Sequence, residues 1–190
     1  MTTYILGLIL FFGVHSIAIV APGWRDRMAA RLGRLPWMAV YSLIAIIGLV
    51  LIIQGYAAVR QAPTVLYVPP DWLQPVALLL LAFVFPLLLA AYLPGRIQHT
   101  LGHPLLVATK AWALAHLLVN GTLAGVMLFG IFLLWAVADR ISLKHRQGSP
   151  VPRLPASRWN DAIAVIGGLG LYALFLLWAH RWLFGVSPLG

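Results

Sequence analysis

The chain has 190 residues, 62% hydrophobic and 9% charged, against about 25% charged in soluble domains, so a water-soluble globular fold is excluded. Its net charge of +9 comes from thirteen Lys and Arg against four Asp and no Glu. These cations fall in short stretches between apolar runs, which is the pattern of membrane loops and not of a nucleic-acid-binding face. The absence of cysteine excludes disulfides, thiolate metal sites, Cys-ligated clusters, a thiol nucleophile and covalent haem attachment. The four scattered carboxylates exclude a carboxylate di-iron centre. Several apolar runs approach the ~20 residues that span a bilayer, and the period-two alternation of a β-barrel is absent. The expectation is an all-α, polytopic transmembrane helical bundle of five or six membrane segments, forming one integral membrane domain over 1–190.

The first apolar segment covers residues 3–20. No charged side chain precedes it, so it reads as a retained helix with its N-terminus outside and not as a signal peptide. It contains His15. Residues 23–36 carry Arg25, Arg27, Arg31 and Arg34 against Asp26. They read either as a short amphipathic helix in the headgroup region or as a solvated basic loop. A second span runs over 37–58, with Trp37, Tyr41 and Tyr56 at its interfaces. A proline-stiffened loop over 59–72 follows. The third span, 73–92, contains Pro86, which should kink it or loosen a turn, and Pro94-Gly95 ends it.

Residues 104–138 form either one long tilted helix or a hairpin broken at Asn120-Gly121. A hairpin returns the basic stretch Arg140, Lys144, Arg146, Arg153 and Arg158 to the cytoplasm, as the positive-inside rule prefers. Gly121 and Gly125 have a small-xxx-small spacing suited to close helix packing. A polar loop over 139–159 leads to a final span over 160–184. In that span Gly167, Gly168 and Gly170 permit close backbone approach, and His180, Arg181 and Trp182 reach the outer interface.

Two histidines fall at one depth. His15 lies ten residues before Arg25, or ~15 Å along a helix. His116 lies twelve residues past Pro104, or ~18 Å. An intramembrane histidine needs a partner, and neutral imidazole is a common metal ligand, so the pair suits axial ligation of a haem iron. Equally, each histidine can hydrogen-bond a neighbouring helix carbonyl. Zinc is disfavoured, because two ligands without a carboxylate are too few. Trp112, one turn before His116, either walls a cofactor or packs. Lys110 and Arg96 either meet propionates or anchor at the interface, and Asn120 caps the turn or bonds another helix.

The chain resembles the NnrU family. The residues that carry the resemblance are His15-Ser16, Arg31-Leu32-Gly33-Arg34 before Tyr41-Ser42-Leu43, Ala62-Pro63, Pro69-Pro70-Asp71-Trp72, Gly102-His103-Pro104, Trp112-Ala113-Leu114-Ala115-His116 and Asn120-Gly121. The likeness is strongest over 1–140; beyond 150 it consists of a further apolar span. It implies a multi-pass protein of the bacterial inner membrane, associated with denitrification. The family is in turn similar to zeta-carotene isomerase. That likeness implies b-type haem with His15 and His116 as axial ligands and His103 as a supporting residue.

Two functions follow from these likenesses. One is a haem protein acting as a redox or nitric-oxide-responsive accessory to nitric oxide or nitrite reduction, with a membrane or periplasmic redox partner. The other is a redox-gated isomerase of a lipophilic polyene. Ala113 stands where the isomerase has a Cys, so no thiolate ligand is available to it. A protein without a cofactor, serving structure or assembly, is the third reading. The His-Pro motif before a hairpin also resembles isoprenylcysteine methyltransferases, but the C-terminal stretch has only Asp161 of the acidic residues that such enzymes need.

Overall fold

The computed structural model describes residues 1–146 and 153–189. Part of the polar loop expected over 139–159 therefore lies outside the described residues. Those described are helical throughout, apart from short connections and one isolated antiparallel bridge, Val65–Thr122. Five segments are long and apolar enough to cross a bilayer: Thr2–Val20, Arg34–Val59, Leu73–Tyr92, Leu123–Ser142 and Asn160–Phe184. A sixth apolar helix, Pro104–Val119, is shorter at 16 residues, or about 24 Å. The protein is a multi-pass helical membrane protein. Its chain forms two compact units: Met1–Val68 with the segment beginning at Gly121, and Pro69–Asn120 with the C-terminal helical segment.

The first unit contains α1 (Thr2–Val20), α2 (Pro22–Leu32), α3 (Arg34–Val59) and, from the later segment, α8 (Leu123–Ser142). Pro22 opens α2 at a first-turn position, where its missing N–H is no loss. Gly33, at φ +85°, turns the chain from α2 into α3 in a backbone region that L side chains rarely adopt. The segment expected as either an interfacial helix or a basic loop is thus helical.

Packing between α1 and α3 depends on three glycines. A Cβ on Gly7 would stand 2.6 Å from Ile52 N, one on Gly48 2.7 Å from Phe11 N, and one on Gly55 2.5 Å from Tyr4 Cα. Each of these neighbours is backbone and cannot swing away. Tyr4 is fully buried and its hydroxyl donates to Ala124 O at 2.7 Å, tying α1 to the first turn of α8. Thr122 caps that turn, its Oγ1 accepting from Gly125 N, as N-cap threonines do.

Gly121 has a role other than the expected helix packing. It precedes α8, and a Cβ there would overlap Tyr67 O, because the 60s loop crosses its backbone. Gly121 O accepts from both Leu66 N and Tyr67 N.

The second unit contains α4 (Leu73–Ala82), α5 (Val84–Tyr92), α6 (Arg96–Leu101), α7 (Pro104–Val119) and α9 (Asn160–Leu174). A π-helical turn, Phe175–Ala179, carries α9 into α10 (His180–Phe184). The expected disturbance near Pro86 takes the form of a loosened turn. The α4–α5 span is interrupted at Phe83, whose N–H turns back to Leu80 O, beside the carbonyl of Ala82 that Pro86 cannot bond. The helix α6 was not expected. Gly102, at φ +68°, ends it, and Pro104 opens α7 as the sequence predicts.

The final span runs along α4 and α5 through a ladder of specific contacts. Gln74 Nε2 donates to Pro188 O, Tyr172 Oη to Leu78 O, and Asn160 Nδ2 to Pro94 O at 2.8 Å. Between them a Cβ on Gly168 would stand 2.3 Å from Pro86 N. Gly168 is the close-approach glycine; Gly167 meets only Leu89 Cδ1, and nothing lies within 4 Å of a Cβ on Gly170. Asp161 accepts from Arg96 N at 2.8 Å and Ile97 N at 3.1 Å, satisfying two donors that would otherwise be orphaned at the start of α6.

Gly55→Ala should cost about 1–3 kcal/mol through backbone overlap, read as a lower thermal midpoint in detergent. Gly13→Ala, where nothing lies within 4 Å, should be neutral or slightly stabilising, since Ala is the better helix former by about 1 kcal/mol. Asp161→Ala should cost about 1–2 kcal/mol, the loss of an N-terminal helix cap, in the same measurement.

Candidate functional site

His15 belongs to the first unit. It is half-buried on α1, and three aromatic rings surround it. Phe11 stacks on it with ring centroids 4.2 Å apart and planes at 29°; Tyr41 of α3 lies at 5.3 Å and Trp135 of α8 at 5.9 Å, both edge-on. Its Nδ1 lies 2.7 Å from Phe11 O. A carbonyl only accepts, so Nδ1–H is the donor and the lone pair of the neutral ring resides on Nε2.

His116 belongs to the second unit, in the last turn of α7. Its Nδ1–H donates to Trp112 O at 2.8 Å, and the Trp112 ring lies 5.1 Å away, tilted by 51°. The proton placement is the same as at His15, with the lone pair again on Nε2. Asn120 Nδ2 donates to His116 O at 3.1 Å, so Asn120 closes the C-terminal end of the helix that holds the histidine. His103 is the N-cap residue of α7, its carbonyl accepting from Leu106 N and Val107 N. Lys110 is half-buried on α7 between His103 and His116. The Arg96 side chain is exposed, at the start of α6.

The structure therefore places Lys110, Trp112 and His116 along α7, with His103 and Asn120 as its caps and Arg96 in the same unit. His15 has a separate aromatic surround. Among the described residues no group of three or more His, Asp or Glu side chains could hold a metal ion. A haem would ask less of the side chains, because the porphyrin supplies four of the iron's donors and a protein adds only one or two imidazoles. The Nδ1–H to carbonyl bond is the support that metal-ligating histidines use to fix tautomer and ring orientation.

Three features add to the sequence expectations, which place His180 at the outer interface and Arg146 in a basic stretch. The first is Trp135, whose buried Nε1–H has no hydrogen-bond partner among the described residues. The second is the ion pair of Asp139 with Arg146, each side chain 13% exposed, with Arg146 Nε also donating to Ser142 Oγ at 2.9 Å. Their sequence spacing of three, four and seven is the available signal, with Asp139 and Ser142 on α8 and Arg146 just past its end. The third is His180, whose Nδ1–H donates to Val186 O at 2.7 Å between the rings of Phe175 and Phe184.

The NnrU protein family model matches residues 3–188. The chain belongs to the NnrU family. The match includes the C-terminal span, so the family relationship covers nearly the whole chain and extends past the 1–140 stretch where the motifs are densest. No curated protein and no solved structure matches the chain.

Trp135→Phe keeps a ring against His15 while removing an unpaired buried donor, whose burial costs about 1–3 kcal/mol. That relief should offset the lost ring volume and leave the thermal midpoint close to wild type. Trp135→Leu should lower stability by roughly 2–3 kcal/mol, as core aromatic truncations do. A large loss in Trp135→Phe itself would reveal a partner for the N–H.

Proposed function

We propose that this NnrU protein binds b-type haem, with His15 and His116 as the iron ligands, and serves denitrification as a redox or nitric-oxide-responsive accessory in the bacterial inner membrane, its N-terminus periplasmic. The observation that supports haem best is the fixed His15 ring, held by Phe11, Tyr41 and Trp135 in a tautomer that it shares with His116. Each spends its Nδ1–H on the carbonyl four residues earlier and so carries its lone pair on Nε2, the donor that iron takes. The link to denitrification rests on the family.

When bound, haem supplies a one-electron couple and an iron that binds nitric oxide. The protein's residues hold and surround that group. Phe11, Tyr41 and Trp135 fix the His15 ring and keep bulk water from it, and Trp112 does the same on one side of His116. Lys110 is the nearest cation in sequence to His116 and is the residue we assign to a propionate. Ala113 is fully buried and offers no ligand atom, which leaves imidazole as the ligating group and weighs against a thiolate-dependent isomerase reaction.

Purified protein should show a Soret band with sharp α and β bands after dithionite reduction. His15→Ala and His116→Ala should each lose or shift these bands, while His99→Ala, an exposed position on α6, should keep them. Nitric oxide added to the reduced protein should shift the Soret band if one ligand yields to it. Absence of haem in the wild type, even when haemin is supplied during expression, would overturn the reading.

A further inference from the structure

At the end of the first unit where α1 stops and α8 stops, the chain forms a groove of about 460 Å³. One wall is apolar: Ile19, Pro22, Ala138 and Ile141. The other is polar and basic: Ser142, His145 and Arg146. We propose that this groove binds an anionic phospholipid of the surrounding bilayer, with its phosphate on the basic wall and its glycerol and upper acyl chain on the apolar one.

Three observations carry the assignment. The first is position. Both α1 and α8 are bilayer-crossing segments by length and composition, so their ends lie at headgroup level, where a lipid phosphate is found. The second is continuity. Leu134, Val137 and Ile141 are exposed along α8 at spacings that share one helical face. They form an apolar track that leads from the hydrocarbon region to the groove, and an acyl chain would follow it.

The third is charge. Arg146 is held in place by Asp139 and Ser142. Those two bonds occupy two of the five N–H donors of a guanidinium, leaving the others for phosphate oxygens in the planar geometry that arginine offers. The sequence flanking the groove residues carries Arg25, Arg27, Arg31, Arg140 and Lys144 against Asp26, and with Arg25 paired to Asp26 and Arg146 to Asp139 four cations of these stretches stay in excess. That excess selects an anionic headgroup over a zwitterionic one, as basic segments at a membrane surface do. A soluble anion would use the basic wall and leave the apolar one and its track without a role.

The test is native mass spectrometry of the full chain in detergent, titrated with phosphatidylglycerol or phosphatidylcholine. Wild type should retain phosphatidylglycerol several-fold more than phosphatidylcholine. Ala138→Trp, an exposed position where a large ring fills the groove, should abolish the difference. The double variant Asp139→Asn/Arg146→Gln, which removes both charges of the pair without leaving either one buried alone, should reduce it several-fold. Circular dichroism and thermal midpoint show whether each variant is folded, and if the double variant is not, Ala138→Trp decides alone. Equal retention of the two lipids by wild type, or unchanged selectivity in folded Ala138→Trp, overturns the proposal. So does displacement of phosphatidylglycerol by millimolar inorganic phosphate, which would assign the basic wall to a free anion.

Discussion

The seam of small residues between α1 and α3 is the contact on which the first unit depends. Inside a bilayer two apolar helices gain nothing by trading lipid for each other's apolar side chains. Association there rests on how closely the backbones approach. Gly7, Gly48 and Gly55 supply that approach, each meeting backbone of the opposite helix. Because Gly48 and Gly55 lie seven apart, the register is set at two turns' distance and cannot slip without a clash. At one end the seam delivers Tyr4 to Ala124 O. At the other it sets Tyr41 against His15. The surround of the candidate ligand is thus fixed by glycines several turns away that touch no functional atom.

The second unit solves the same problem with polar pins. Its final span is irregular, with a π turn at Phe175–Ala179, and its partner span is broken before Pro86. Helix ends and breaks leave backbone groups that hydrocarbon cannot satisfy. The carbonyls of Leu78 and Pro94 receive side-chain donors from Tyr172 and Asn160, and the N–H groups of Arg96 and Ile97 find the carboxylate of Asp161. Asp161 is one of only four acidic residues in the chain, and it is spent on holding a turn. This explains why it contributes nothing to a carboxylate-based site.

The spans were legible because a membrane crossing is written in length and hydropathy. The break between α7 and α8 was legible because Asn120-Gly121 interrupts an apolar run, and Pro104 announced a helix start. The inward faces were not legible. In a helix that is apolar all round, the buried stripe differs from the lipid-facing one in side-chain size and not in polarity, so hydropathy carries no phase. Gly7, Gly48 and Gly55 look in sequence like Gly13, which meets nothing. Likewise Gly168 makes the close contact while Gly170, two residues on, does not. Tyr41 and Trp135 could not be paired with His15 because their meeting is tertiary. Phe11 could have been, since it lies one helical turn before His15, as Trp112 does before His116.

That repeated spacing bears on what selects a ligand. An imidazole on a helix always has the carbonyl four residues earlier within reach, so the Nδ1–H bond needs no tertiary partner. His180 makes a comparable bond, to Val186 O in the turn that follows it. The tautomer with its lone pair on Nε2 is therefore cheap, and by itself it does not tell a ligand from a packing histidine. What separates the candidates is what surrounds the ring. His15 is held on several sides by Phe11, Tyr41 and Trp135, so it pays its loss of rotamer freedom on folding, before any ligand arrives. A ligand whose orientation is fixed in advance binds with less entropy still to lose. On that ground His15 is prepared before any ligand arrives, and its preparation traces back through Tyr41 to the glycine seam.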